Sequence, residues 1–156
     1  MMKNLIGVIG GSDIDSSIAE IAFQTGVQIA EYGFGLVCGG MGGVMEQAAR
    51  GCRQKGGLTV GILPGEDFSL ANPYLDVIIP TGMNIARNIL IVRSALGIIA
   101  IDGKYGTLSE LAYALQMHKP IVGIKTWDVS EKIIRVQSPK QAMETLIQLM
   151  DHGKSR

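Results

Sequence analysis

Two stretches of this chain read as an apolar strand that breaks at glycines and restarts at once as a helix. One runs from Leu96-Gly97-Ile98-Ile99-Ala100-Ile101 into Asp102-Gly103-Lys104-Tyr105-Gly106-Thr107-Leu108-Ser109-Glu110. The other runs from Gly35-Leu36-Val37-Cys38 into Gly39-Gly40-Met41-Gly42-Gly43 and then the helical Val44-Met45-Glu46-Gln47-Ala48-Ala49. Junctions of this kind leave backbone N–H groups unpaired at the helix start, where the helix dipole also favours negative charge. Two of them in 156 residues point to an α/β architecture with a site for an anionic ligand. Phosphate is the usual guest of such a site.

The rest of the chain repeats the alternation. Strands are expected at Leu5–Gly10, Leu58–Leu63, Asp76–Pro80, Pro120–Ile124 and Lys132–Val136, and they are continuous apolar runs more than alternating ones. A first helix follows Asp13 or Asp15, either of which suits its cap, with Ile18, Ile21, Ala22, Val27 and Ala30 at helical spacing. Further helices are expected at Val44–Arg53, Asn84–Ala95 and Leu108–Met117, and from Ser138-Pro139 to about Met150. The polar stretch Glu66–Pro73 reads as a mobile loop. Continuous apolar strands alternating with helices predict a doubly wound parallel sheet in three α/β/α layers, with residues 1–156 as one domain. Ligands of such sheets sit beyond the carboxyl ends of the strands, where strand order reverses. The loops Gly10-Gly11-Ser12, Gly39–Gly43, Pro64-Gly65 and Gly103–Gly106 all fall at those ends.

Composition narrows the function. Glycine, at 21 residues, is about twice its usual ~7% share, which suits many tight strand ends. Formal net charge is zero, from 14 basic and 14 acidic residues, and aromatics are 5%. With no basic stripe interleaved with aromatics, neither nucleic acid nor an anionic membrane is an expected partner. The hydrophobic share of 47% against 18% charged argues against disorder and hints at apolar surface covered by a partner subunit. Cys38 and Cys52 make no disulfide framework, and with His118 and His152 they make no metal spacing. Neither a metal nor a resident cofactor is expected. No run reaches the ~18 apolar residues of a membrane span, and the start reads as no signal peptide. The expectation is a cytoplasmic protein.

Within the glycine loops, candidate ligand contacts are Gly11, Ser12, Gly39, Gly40, Met41, Gly42, Gly43, Gly103, Lys104, Tyr105, Gly106 and Thr107. The loop Gly39–Gly43 is no dinucleotide fingerprint, because Met45 stands where the last glycine belongs, and no Lys-Ser/Thr pair makes it a P-loop. Four glycines in five residues exceed what a turn requires. Ser12 reads equally as a hydroxyl donor to ligand or as a helix cap, and Lys104 as a phosphate contact or a solvated lysine. Thr107 and Glu110 have the T-x-x-E spacing of a capping box. Glu110 reads besides as a carboxylate on the crevice floor that polarises water or binds a ribose hydroxyl. Arg87, near a helix start, opposes the dipole and calls for a salt bridge or an anionic ligand. Arg93 reads as structural. There is no Gly-x-Ser-x-Gly elbow for serine hydrolase chemistry.

These motifs resemble the Lonely Guy (LOG) family, which also carries a lysine decarboxylase label and includes the molybdenum cofactor carrier proteins. The family pattern is Gly-Gly-Gly-x-x-Gly-Leu-Met-Gly, then Arg-Lys, then Pro-Gly-Gly-x-Gly-Thr-x-x-Glu. It falls here on Cys38–Glu46, Arg87-Asn88 and Asp102–Glu110, in a resemblance spanning residues 4–125. The resemblance implies a Rossmann-like nucleotide-binding domain, a homodimer or higher homo-oligomer, and one of two functions. One is hydrolysis of a nucleoside 5′-monophosphate to base and sugar phosphate, with Arg87 and Glu110 as the catalytic pair. The other is non-enzymatic carriage of the molybdenum cofactor or a nucleotide. Asp102, Lys104 and Asn88 depart from the pattern. Nothing resembles a pyridoxal phosphate lysine site, so lysine decarboxylation is not expected.

Overall fold

Seven parallel strands form one sheet in the order β4-β3-β2-β1-β5-β6-β7 in the computed structural model, which describes residues 3–154. The strands are β1 Leu5–Gly10, β2 Gly35–Cys38, β3 Thr59–Leu63, β4 Val77–Pro80, β5 Gly97–Ile101, β6 Ile121–Ile124 and β7 Ile133–Arg135. The helices are α1 Ser16–Glu31, α2 Val44–Gln54, α3 Asn88–Ser94, α4 Tyr105–Gln116 and α5 Pro139–Lys154. Every residue of β2, β3, β5 and β6 is buried. That is why these strands read as unbroken apolar runs: both faces of a parallel sheet are covered. The edge strand β4 alternates between exposed and half-buried residues.

One face packs Ile18, Ala22 and Ile29 of α1, Ala48 and Cys52 of α2, and Met143 and Leu146 of α5. The opposite face packs Ile91 and Val92 of α3 with Leu111 and Ala114 of α4. The result is the three-layer, Rossmann-like arrangement expected. α1 and α2 approach closely through reciprocal glycines. A Cβ on Gly26 would lie 1.9 Å from Ala48 O, and one on Gly51 2.0 Å from Phe23 O. Of the two candidate caps for α1, Asp15 takes the role and accepts from Ile18 N–H at 2.9 Å. Ser138 caps α5, accepting from Gln141 N–H at 3.2 Å.

The strand order runs outward from β1 to β4, then returns to place β5 beside β1. The reversal therefore lies between β1 and β5, and a crevice opens at their carboxyl ends. The stretch expected as one helix, Asn84–Ala95, is a 3₁₀ turn over Asn84–Arg87 followed by α3. The loop after β3 is fastened to the Gly39–Gly43 loop after β2. Asn72 donates from its backbone N–H to Gly40 O at 2.9 Å and from Nδ2 to Met41 O at 3.0 Å.

Candidate functional site

A cleft of about 220 Å³ lies at the strand-order reversal. The end of β1 and the loop after it contribute Gly10, Gly11, Ser12 and Asp13, and the loop after β2 contributes Gly39 and Met41. The junction from β5 into α4 contributes Asp102, Lys104, Gly106, Thr107 and Glu110, and Arg87 and Asn88 form the remaining wall with Ile85. The two strand–glycine–helix junctions thus converge on one space.

α4 enters this space without a side-chain cap. Its first residue is Tyr105 and its N-cap is Lys104, with no side-chain capping bond. This corrects the T-x-x-E capping box. Thr107 is already inside the first turn and Glu110 lies a turn further on, because Gly103, at φ +107°, starts the helix earlier than the pattern suggests. The first intrahelical bond is Leu108 N–H to Lys104 O, at 3.0 Å. The N–H groups of Tyr105, Gly106 and Thr107 make no hydrogen bond among the described residues, as the geometry of a helix start requires. At the β2–α2 junction, by contrast, Val44 N–H is taken by Gly11 O at 2.9 Å.

Thr107 is 3% exposed and Glu110 7%. Neither side chain has a hydrogen-bond partner among the described residues, yet no fully enclosed side-chain nitrogen or oxygen there is left unpaired. The Thr107 hydroxyl and the Glu110 carboxyl therefore reach the cleft. Burial pushes the Glu110 carboxyl up to about 8, against a smaller opposing pull from the Arg87 charge. It is largely protonated at neutral pH, a hydrogen-bond donor until the pH exceeds that value.

Arg87 is 5% exposed and braces the site. Its Nε donates to Ile62 O at 2.8 Å, Nη2 to Gly39 O at 3.3 Å, and Nη1 to Asn88 Oδ1. Asn88 Nδ2 donates to Ser109 Oγ at 3.0 Å, and Ser109 Oγ donates to Gly106 O at 2.6 Å. One chain of bonds thus joins the end of β3, the Gly39–Gly43 loop and the start of α4. Burial draws the guanidinium below its usual range, and the nearby Glu110 charge opposes this. It stays cationic, since arginine does not deprotonate in proteins. The two form no ion pair within 4.0 Å among the described residues. Gly39 makes room for Arg87, because a Cβ there would lie 2.8 Å from Nη2.

Of the residues singled out from sequence, Gly11, Ser12, Gly39, Met41, Lys104, Gly106 and Thr107 line the cleft with Arg87 and Glu110. Gly40, Gly42, Gly43, Gly103 and Tyr105 are not on its wall. Gly40 packs on Leu63 and Gly43 on the Gly11-Ser12 backbone. Gly103 packs on Thr107, Gly42 stands clear of neighbours, and Tyr105 faces outward, 80% exposed and stacked on Trp127. Ser12 is exposed and caps nothing, since Asp15 holds α1. Asp102 and Lys104 form no ion pair among the described residues. Sequence reasoning passed over Asp13, Met45 and Ile85, which line the cleft, and the bridging role of Asn88. Only the position of Asn88 beside Arg87 signalled it.

Over residues 3–152 the sequence matches the pattern of the SLOG cluster4 family. The chain belongs to that family. Within the SLOG cluster4 fold it is similar to the molybdenum cofactor binding protein of Rippkaea orientalis. That likeness has a TM-score of 0.90 and 33% identity, and covers 96% of this chain and 99% of the other. The molybdenum cofactor carrier protein of Chlamydomonas reinhardtii superposes with a TM-score of 0.88 at 30% identity, over 97% and 99% of the two chains. The cytokinin riboside 5′-monophosphate phosphoribohydrolase of Mycobacterium tuberculosis is 32% identical over 74% of this chain and 67% of its own. No described helix of this SLOG cluster4 protein is long and apolar enough to cross a membrane.

Proposed function

We propose that the cleft binds a phosphorylated heterocycle and that the chain carries it without turning it over, with the molybdenum cofactor, a pterin phosphate, as cargo. The observation that carries this reading is the uncapped start of α4. The Gly106 and Thr107 amides and the Thr107 hydroxyl are left without protein partners on the cleft wall, beside Lys104. Free amides, a hydroxyl and a cation at a helix N-terminus suit a tetrahedral anion. The end-to-end likeness to molybdenum cofactor proteins supports the cargo.

A second reading is favoured by one observation, the unpartnered Glu110 carboxyl beside Arg87. In a phosphoribohydrolase, protonated Glu110 gives its proton to the departing base, or its carboxylate orients water at the glycosidic carbon. The chain works as a homo-oligomer in either reading, and light scattering in solution tests that.

Native mass spectrometry of the protein as purified, then incubation with AMP and with GMP, separates the readings. A co-purified pterin phosphate or nucleotide with no release of adenine or guanine is the expected result. Free base and ribose 5-phosphate that disappear with Glu110→Gln would overturn carriage in favour of hydrolysis.

A further inference from the structure

Asp102 closes β5 and lines the cleft with its backbone at φ +53°. Aspartate is among the few residues besides glycine that adopt that region readily, so the turn after β5 sets where its side chain starts. The backbone is clamped on both sides. Asp102 N–H donates to Ile124 O at 3.1 Å, and Thr126 Oγ1 donates to Asp102 O at 2.7 Å. The carboxylate lies over Gly11, where an added Cβ would come within 2.9 Å of Oδ2. It has no hydrogen bond and no ion pair among the described residues, although Lys104 and Arg87 share the cleft. The same cleft holds the unpartnered, nine-tenths-buried Thr107 and Glu110, so Asp102 belongs to a wall already arranged for a ligand.

A carboxylate only accepts hydrogen bonds. It repels the phosphate that suits the start of α4, and faces a part of the ligand that brings N–H or O–H donors. Its two oxygens match two adjacent donors in a bidentate contact. We infer that Asp102 reads an amino-lactam edge, a ring N–H next to an exocyclic amine as in guanine and pterin, and so selects which phosphorylated heterocycle the cleft takes. This rests on the phosphate-binding reading above. The pterin phosphate proposed as cargo has this edge and no ribose diol. Adenine sets a ring acceptor beside its amine, and a carboxylate rejects that pairing.

Calorimetric titration of GMP, IMP and AMP into the wild-type protein, Asp102→Asn and Asp102→Gly tests the inference. Both replacements tolerate positive φ, so neither disturbs the clamped backbone. GMP and IMP differ only in the exocyclic amine. The wild-type protein should bind GMP about tenfold or more tighter than IMP, the size of one charge-assisted hydrogen bond, with AMP weakest. Asp102→Gly should bind the three alike, and Asp102→Asn should lose most of the preference for GMP over IMP. Equal wild-type affinity for GMP and IMP overturns the inference alone, as does a common loss for all three nucleotides in the variants, the mark of a ribose or scaffold contact. Absence of binding by every nucleotide and by a pterin monophosphate overturns the phosphate-binding reading, and this one with it.

Discussion

Glu110 has lost water to burial without gaining a protein partner, and this gives the folded state a pH dependence of definite sign. Its carboxyl is raised from 4.5 to about 8, so between those values the folded chain keeps a proton that the unfolded chain releases. Stability therefore falls as pH rises from about 4.5 to about 8. Glu110→Gln removes that slope, and its melting temperature should exceed the wild type's at pH 8.5 while matching it near pH 5. Thermal unfolding at the two pH values checks this, and parallel pH profiles would refute it. Arg87 acts through directional bonds to Ile62 O, Gly39 O and Asn88 Oδ1. Lysine cannot reproduce that fork. Arg87→Lys should cost about 2–4 kcal/mol in a denaturant titration, within the range for breaking a buried polar network.

At the scale of elements, the start of α4 divides binding from folding. The Thr107 hydroxyl has no protein partner among the described residues, so Thr107→Val breaks no bond within the protein and should change stability by less than about 1 kcal/mol. Phosphate affinity should fall about tenfold, the worth of one hydrogen bond to a charged group. Unfolding and titration of the same variant separate the two effects. The α1–α2 contact behaves in the opposite way. Gly51→Ala puts a Cβ 2.0 Å from Phe23 O, so it should destabilise the fold by about 1–3 kcal/mol, although helix propensity alone favours alanine. The sequence signals at these elements were uneven. Ser138 was legible as a cap because Pro139 and a long periodic helix follow it, whereas for α1 the sequence offered Asp13 and Asp15 alike and the bond to Ile18 N–H decides for Asp15. The T-x-x-E at Thr107 misled, because Tyr105-Gly106 is a weak helix opening by propensity. Only the backbone turn at Gly103 shows that the helix begins there. The 3₁₀ turn at Asn84–Arg87 was illegible for a like reason: its side chains fit an α-helix equally well.

For the whole molecule, unbroken apolar strands and glycine loops made the layered parallel sheet and the end bearing the cleft readable in advance. Strand order was not readable, since nothing in β1 and β5 says that they will pair across most of the chain between them. The charges in the cleft were half legible. Arg87 and Glu110 stood out by motif, whereas the bridge through Asn88 and the clamp on Asp102 depend on partners far off in sequence, Ser109 and Thr126.

The measurement that bears most directly on the proposed cleft is a backbone amide NMR titration with a pterin monophosphate. Saturable shifts centred on Gly106 and Thr107, with smaller ones at Gly39 and Gly11, are the expected result. Shifts that avoid the start of α4, or their absence at saturating ligand, would contradict the assignment of that helix start as the phosphate site.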